Sequence, residues 1–261
     1  MKPEATTQGK ITKMVFGADA IEIKATIPDA QINSALIRFN LNLDNDEERY
    51  IYFFDTPSLD LLKAGIIARA RRTVGEEHDS TIKFRPVIPE EVSEKWRNYN
   101  GFKIEADASE KGLVKSASFT MPVKNGLIKA VVEGKKPIAK LYTKKQEEFL
   151  AEMGSNPIDF SALAILGPLK AHRWKFEVPA CPWKITAELW WREDGARLME
   201  VSIKTPTVQA AAAIGGFKAF LAEVGVEHDR DQQTKTRWAL DYHAAKISTA
   251  QKSAASEVAK K

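Results

Sequence analysis

Most of the eight strands predicted from this sequence alternate apolar and charged residues, and this period of two limits the folds open to the chain. Successive side chains of a β-strand point to opposite faces, so such a segment is typical of a strand with one apolar and one charged face. In 20–27, Ile21 and Ile23 share one face, while Glu22 and Lys24 share the other. The remaining predicted strands are 49–55, 66–73, 80–87, 101–108, 171–178, 184–192 and 197–204.

Helical spacing appears between these strands and after the last one. The predicted helical segments are 28–36, 58–64, 137–154, 159–166 and 207–224, and 112–133 is left open between a hairpin and irregular structure. This order predicts an α+β fold, an eight-stranded antiparallel β-barrel with helices packed on its outside. Since no internal repeat or Pro- or Gly-rich linker divides the chain, we expect one domain over 1–261, with a core of about 13–240 and a helical or frayed tail over 241–261.

Composition excludes several classes of protein. The net charge is +4, from 39 Lys and Arg against 35 Asp and Glu in 261 residues, too small an excess to predict a nucleic-acid partner. No apolar run approaches the roughly 18 residues of a spanning helix, so no membrane partner is expected. Cys181 is the single cysteine, which excludes an intrachain disulfide and a zinc site of several cysteines. The first ten residues lack the apolar stretch of a signal peptide, and we expect a cytoplasmic protein.

The charged faces indicate a ligand only when they are taken together. On one strand alone, such a face is typical of the solvated side of a sheet. If helices cover the apolar faces, however, the charged faces point into the barrel, where clustered like charges repel one another unless a charged ligand lies between them. The cations are Lys24, Arg69, Arg71, Lys83, Arg85, Lys103, Arg173, Lys175 and Lys204, and the anions are Glu22, Glu105, Asp107, Glu177, Glu188 and Glu200.

These residue types favour phosphate chemistry. Arg binds phosphate oxygens through two parallel hydrogen bonds, and Lys supplies a mobile point charge. Carboxylates would repel a polyphosphate, so their presence beside the cations implies a divalent metal, Mg²⁺ or Mn²⁺, which prefer oxygen ligands. A cationic wall for phosphate and an acidic wall for metal together predict phosphoryl transfer.

The order and spacing of these motifs resemble the CYTH domain, the fold of the triphosphate tunnel metalloenzymes. The matching strings are Ala-Ile-Glu-Ile-Lys at 20–24, YFFDTPSLDLLKAG at 52–65, Ala-Arg-Ala-Arg at 68–71 and Ile-Lys-Phe-Arg at 82–85. The resemblance continues through 103–107, 173–175, Glu188 and 200–204, and so covers the chain from about Lys13 to Leu240. The family includes inorganic triphosphatases, thiamine triphosphatases and class IV adenylate cyclases.

The resemblance implies metal-dependent hydrolysis of a small-molecule triphosphate inside a charged tunnel. It implies triphosphate binding by Lys24, Arg69, Arg71, Lys83, Arg85, Arg173 and Lys235, to which the strand faces add Lys103, Lys175 and Lys204. It implies metal binding by Glu22, Glu105, Asp107, Glu188 and Glu200. The expected catalytic residues are Lys24, Arg69, Arg71 and Glu188.

Two departures from the family pattern keep other functions open. Ala20 and Ser202 stand at positions where the pattern has glutamate. Asp107 also replaces a glutamate, but this is a milder change, because the charge is kept on a shorter side chain. Losing two carboxylates weakens at least one metal site, although Glu177 or Glu188 can compensate. A non-catalytic triphosphate- or nucleotide-binding module with a degraded metal site is therefore the first alternative to a triphosphatase. A class IV type of adenylate cyclase is the second.

Overall fold

The computed structural model describes residues 7–154, 157–226 and 233–258. In this part of the chain there are nine strands: β1 (Ala20–Ile27), β2 (Glu47–Asp55), β3 (Ile66–Thr73), β4 (His78–Phe84), β5 (Phe102–Ser109), β6 (Gly112–Val123), β7 (Ala164–Val178), β8 (Cys181–Trp191) and β9 (Arg197–Pro206). The helices are α1 (Thr7–Val15), α2 (Asp29–Arg38), α3 (Asp60–Lys63), α4 (Leu127–Val132), α5 (Lys144–Met153), α6 (Ala210–Glu223) and α7 (Lys235–Val258). None of the described helices is both long and apolar enough to cross a membrane.

The strands form a closed barrel, hydrogen-bonded in the order β1-β5-β6-β4-β3-β2-β7-β8-β9. This confirms the predicted α+β barrel with helices. The prediction of eight antiparallel strands is wrong in two respects, because β6 is an additional strand and β1 pairs with β5 in parallel. The sequence hides β6 because its polar face carries Ser116, Ser118 and Thr120 in place of charges. Whether a strand pairs in parallel or antiparallel cannot be predicted from the alternation of residues within that strand.

The helical predictions differ from the structure mainly in the middle of the chain. The predicted helix 159–166 is wrong: a single 3-10 turn over Phe160–Ala162 leads directly into β7. The segment 137–154 contains a 3-10 turn over Ile138–Leu141 followed by α5. The last three residues of the predicted tail, 259–261, lie outside the described residues.

A capping box begins α5. The Thr143 hydroxyl accepts a hydrogen bond from the Gln146 amide N–H at 3.2 Å, and the Gln146 side chain accepts one from the Thr143 backbone N–H.

Contacts divide the chain into two compact units. The first unit is Met1–Glu48, Arg85–Ser118 and Ala171–Gln232, and the second unit is Arg49–Phe84, Phe119–Lys170 and Gln233–Lys261.

In the first unit, helices cover the apolar faces of the strands. Ile21 of β1, Ile185 of β8 and Ile203 of β9 are buried in one hydrophobic core together with Phe217 and Phe220 of α6. Helix α6 packs on all three strands, and α2 packs on β1 and β9. Because alternate residues of a strand face opposite ways, this packing directs the charged residues of the same strands to the other face.

In the second unit, β3 pairs with β2 on one side and β4 on the other, all antiparallel. Helix α5 supplies Phe149, whose fully buried ring meets those of Phe84 and Phe119 edge-on at centroid distances of 5.3 and 6.0 Å. This aromatic cluster fixes the outer face of β4, so that Thr81 and Lys83 lie on the opposite face of that strand.

Candidate functional site

The charged face of the first unit is organised in rows set by the strand register. Glu22 of β1 lies opposite Asp107 of β5 on one side and Lys204 of β9 on the other. One row further along β1, Lys24 lies opposite Ser202 of β9. The structure therefore brings together, on one strand face, predicted phosphate-binding and predicted metal-binding residues from three strands.

Lys24 is the centre of this arrangement. Its Nζ lies 2.7 Å from Asp107 Oδ1 and 3.0 Å from Glu22 Oε2, and its side chain is 20% exposed. Burial alone would lower the pKa of Lys24, but the nearby carboxylates of Glu22, Asp107 and Glu200 outweigh burial and raise the pKa well above its ordinary value. The ammonium group is therefore charged throughout the neutral range, and it balances several carboxylates at once.

Asp107 is more deeply buried than the cations that contact it, with 2% of its surface exposed. Besides Lys24, its carboxylate has Arg85 Nη1 at 3.4 Å and accepts a hydrogen bond from the Ser116 hydroxyl at 3.5 Å. Ser116 lies on β6, the strand that sequence analysis left open. These two cations and the hydroxyl offset part of the cost of burying a carboxylate.

Glu22 has its two oxygens on different partners. Oε2 faces Lys24, and Oε1 accepts a hydrogen bond from the Ser202 hydroxyl at 3.2 Å. Burial would raise the pKa of Glu22, but Lys24 and Lys204 outweigh it, and the pKa is lowered. The CYTH pattern has a carboxylate at position 202. Here Ser202 stands in its place, and its hydroxyl donates a hydrogen bond to Glu22.

Lys204 and Glu105 form a second ion pair at the edge of this face. Lys204 Nζ lies 2.7 Å from Glu105 Oε1. Burial would lower the pKa of Lys204, but Glu105 and, more weakly, Glu22 raise it above its ordinary value. The predicted phosphate ligand Lys204 is therefore charged and close to a predicted metal ligand.

Two further predicted metal ligands lie opposite each other. Glu188 of β8 is the register partner of Glu200 of β9, and Glu200 is 8% exposed. Directly opposed like charges destabilise a sheet unless a cation offsets them. Lys24 is one such cation, because Glu200 contributes to its raised pKa.

Glu188 and Glu200 are the two predicted metal ligands that the strand register places directly opposite each other. Mg²⁺ is usually held by one or two carboxylates together with substrate phosphates. Glu22, Asp107 and Glu105 contact Lys24, Arg85, Lys204 or Ser202. Among the described residues no cluster of three or more acidic, histidine or cysteine side chains is arranged to hold a metal by itself.

Arg173 of β7 pairs with a carboxylate that does not belong to this cluster. Arg173 Nη2 is 2.6 Å from Glu47 Oε2 at the start of β2, and the buried His172 pairs through Nδ1 with Asp46. Lys175 and Lys103 are exposed. The structure thus ties Arg173 to a carboxylate that sequence analysis did not single out.

The second unit carries its own cationic cluster. Arg71 binds Asp79 through Nε, at 3.1 and 3.0 Å from the two carboxylate oxygens, and through Nη2 at 2.9 Å. Arg69 Nη2 donates to the Thr81 hydroxyl at 3.4 Å, and this hydroxyl lies 3.0 Å from that of Thr120. The hairpin register, which puts Arg71 opposite Asp79 and Arg69 opposite Thr81, explains both contacts. Asp79 was not predicted because the predicted strand 80–87 begins one residue after it, whereas β4 begins at His78.

Tyr142 is another residue of the second unit that the sequence did not indicate. It is 6% exposed, its hydroxyl has no hydrogen-bond partner among the described residues, and its ring packs edge-on against Phe54. Burial raises the pKa of Tyr142 well above its ordinary value, although the positive charge of Arg69 lowers it. The hydroxyl is therefore neutral.

Two other predicted phosphate ligands lie in the second unit. Lys83 lies opposite Ile67 of β3, and Lys235 is the half-buried first residue of α7.

Comparison with solved structures identifies this fold. One similar structure is an adenylate cyclase candidate from Bacillus halodurans, with TM-score 0.59 and 13% identity over 84% of this chain and 96% of that chain. Another, from Hippeastrum, is an adenylyl cyclase candidate with a dominant triphosphatase activity, with TM-score 0.57 and 17% identity over 83% and 92%. Neither a family model nor a curated protein matches the sequence. The chain therefore shares the fold of these structures, the CYTH fold that its strand motifs predicted.

Proposed function

We propose that this protein binds a small-molecule triphosphate and hydrolyses a phosphoanhydride bond of it with the help of Mg²⁺ or Mn²⁺. The observation that carries the proposal is the cluster around Lys24, where cations from separate segments meet carboxylates on the polar face of helix-covered strands. The Hippeastrum protein, which shares the fold, has triphosphatase activity, and this supports the same reaction class.

The cations of this cluster are proposed to exchange carboxylate oxygens for phosphate oxygens when substrate binds. Arg85 and Lys24 both contact Asp107, so they are held on one face before any ligand arrives, which reduces the entropy lost on binding. Arg173, Lys175, Lys103 and Lys204 of the first unit are further proposed phosphate ligands. In the second unit the proposed ligands are Arg69, Arg71, Lys83 and Lys235.

The protonation states assign chemical roles to these groups. Lys24 has a raised pKa, so it offsets developing negative charge and does not accept a proton. Glu22 has a lowered pKa, so it is an anion at neutral pH and cannot act as a general acid. Glu188 and Glu200 would hold the divalent metal, with Glu188 the proposed catalytic carboxylate. When bound, the metal supplies charge neutralisation on the phosphates and an acidified water.

The direct test is to incubate the protein with tripolyphosphate, ATP or thiamine triphosphate in Mg²⁺, Mn²⁺ or EDTA and to resolve the products by ion-exchange chromatography. We expect orthophosphate release that requires the metal. Arg85→Gln should lower the rate at least about tenfold, since a charge-assisted hydrogen bond to phosphate is lost. Arg197→Gln is the matched control, because Arg197 contacts Asp29 and Asn33 of α2. Formation of cyclic AMP from ATP would instead identify a cyclase.

A second candidate function is binding without turnover. It is favoured by Ala20 and Ser202, which remove two expected carboxylates, and by the absence of a cluster of three metal-ligating side chains among the described residues. This candidate predicts that tripolyphosphate binds in calorimetry without product even in excess Mn²⁺. It also predicts that Ala20→Glu combined with Ser202→Glu produces hydrolysis. Hydrolysis by the unmodified protein would eliminate this candidate.

A further inference from the structure

A pocket of about 380 Å³ opens in the first unit where β1 begins. Its walls come from the start of β1, from β5, from β9 and from the 3-10 turn that carries Arg97. The charged residues that line it are Asp19, Arg97, Lys103, Glu105 and Lys204. We call it the Ala20 pocket, since Ala20 also lines it.

Ala20 creates both the space and the charge balance of this pocket. Its register partner on β5 is Glu105, whose carboxylate also lines the pocket. A glutamate at position 20 would bring a second carboxylate beside Glu105, and its side chain would occupy part of the volume. With alanine there, the pocket keeps its volume and loses one negative charge.

Two ion pairs account for four of the five charges in the wall. Arg97 Nη1 lies 2.7 Å from Asp19 Oδ1, and Asp19 Oδ2 accepts a hydrogen bond from the Ile104 amide N–H at 2.7 Å. Lys204 neutralises Glu105 at 2.7 Å. Asp19 is thus held by the Ile104 backbone as well as by Arg97, and Glu105 is paired with Lys204.

Lys103 is the charge that remains. It lies on β5 two residues before Glu105, is exposed, and has no ion-pair or hydrogen-bond partner among the residues that the structure describes. The pocket wall therefore carries one uncompensated positive charge. An anionic ligand would complete it, since Lys103 of β5 and Lys204 of β9, the two strands that flank β1, both line the pocket and Lys side chains bind oxyanions.

The Ala20 pocket continues the row that contains the Lys24 cluster. Along β1, Ala20 precedes Glu22 by two residues, about 7 Å, on the same strand face. Lys204 connects the two places, because it lies opposite Glu22 in the register and contacts Glu105 in the pocket wall. A linear anion held at Lys24 can therefore extend toward Lys103.

We propose that the Ala20 pocket binds a phosphate group beyond those held around Lys24, so that the protein selects a linear chain of four phosphates over one of three. This rests on the proposed function, because it assumes a phosphate chain at Lys24. Phosphate is favoured over a nucleoside base because five of the seven residues that line the pocket are charged.

The test is calorimetric binding of tripolyphosphate, tetrapolyphosphate and ATP at one fixed free Mg²⁺ concentration. We expect the unmodified protein to bind tetrapolyphosphate about tenfold more tightly than tripolyphosphate, as expected for one added charge-assisted contact. Lys103→Gln should reduce this ratio to about two, and Ala20→Glu should bring it to one or below. Lys13→Gln, a charge removal on the exposed side of α1, should leave the ratio unchanged.

The outcomes separate this inference from the proposed function. If tripolyphosphate binds but Lys103→Gln and Ala20→Glu leave the ratio as it was, the pocket is not a phosphate subsite and the proposed function is unaffected. If ATP gains over tripolyphosphate while tetrapolyphosphate does not, the pocket holds a nucleoside and the inference is wrong. If neither polyphosphate binds, the inference and the proposed function fail together. Lys103→Gln changes an exposed residue, so its result does not depend on the folding of Ala20→Glu.

Discussion

At the scale of single residues, the charged face of the first unit depends on Asp107. This carboxylate is almost fully buried and lies between Lys24 and Arg85. Removing one partner of a buried ion pair is costlier than the pair's own contribution to stability, because the remaining charge is left in a medium of low polarity. The cations that we propose for phosphate binding therefore also stabilise the protein when no ligand is bound.

This leads to a prediction for Lys24. Lys24→Met removes the cation that lies 2.7 Å from Asp107 Oδ1 in a buried site, and we expect it to lower the free energy of unfolding by about 3 kcal/mol at pH 7. Lys24→Arg keeps the charge and should lose less than half of that. Urea denaturation in EDTA measures both, with Lys13→Met as an exposed control. Equal stability of Lys24→Met and the unmodified protein would contradict the role of Lys24 in holding Asp107.

The lowered pKa of Glu22 predicts a dependence of stability on acid pH. Because the folded-state pKa lies below the ordinary 4.5, the unfolded chain takes up its proton first, and the stabilisation is lost as the pH falls through the folded-state value. We expect Glu22→Gln to lower stability at pH 7 and to flatten its decline between about pH 5 and 3. Denaturation in EDTA at several pH values tests this. A parallel decline in both proteins would show that Glu22 is not the titrating group.

At the scale of elements, the alternation of β1, β5 and β9 was enough to predict which residues share the charged face. It did not reveal that these residues pair with one another, because pairing depends on register and on the parallel contact of β1 with β5. It also missed β6, whose polar face carries hydroxyl groups, and Asp79, whose contact with Arg71 follows from the hairpin register. The contacts that the sequence did not predict are therefore those between strands, because they join residues that lie apart in the chain.

One element-scale prediction concerns Gly167 in β7. Its φ is +149°, and a Cβ there would lie 2.7 Å from the backbone oxygen of Ile51, which cannot move as a flexible side chain would. We expect Gly167→Ala to lower the free energy of unfolding by about 3 kcal/mol, from overpacking and backbone strain together. Gly195→Ala is the matched control, since its φ is +84° but nothing lies within 4 Å of its Cβ, and about 1 kcal/mol is expected. Similar losses in the two variants would mean that the contact with Ile51 contributes nothing.

At the scale of the whole molecule, the chain combines a small net charge of +4 with a dense concentration of both signs on the strand faces. The carboxylates that balance Lys24, Arg85 and Lys204 are the groups that a bound phosphate chain would replace. Under the proposed function, ligand binding exchanges these carboxylates for phosphate oxygens around the same cations. The stability of the whole chain should report on this exchange even where no product forms.

The last prediction uses that link between binding and stability. A ligand that binds only the folded chain adds about 2.7 kcal/mol at a concentration of 100 times its Kd. For a chain of this size, this corresponds to a rise in Tm of roughly 5–10 °C. We expect tripolyphosphate to produce such a rise, and orthophosphate at the same ionic strength to produce at most about 1 °C. Part of the rise should persist in EDTA, because Lys24 and Arg85 are proposed to contact the ligand directly, while the increment that Mg²⁺ adds should be lost in Glu188→Gln. No rise with tripolyphosphate at millimolar concentration, with or without metal, would exclude both the triphosphatase and the binding module.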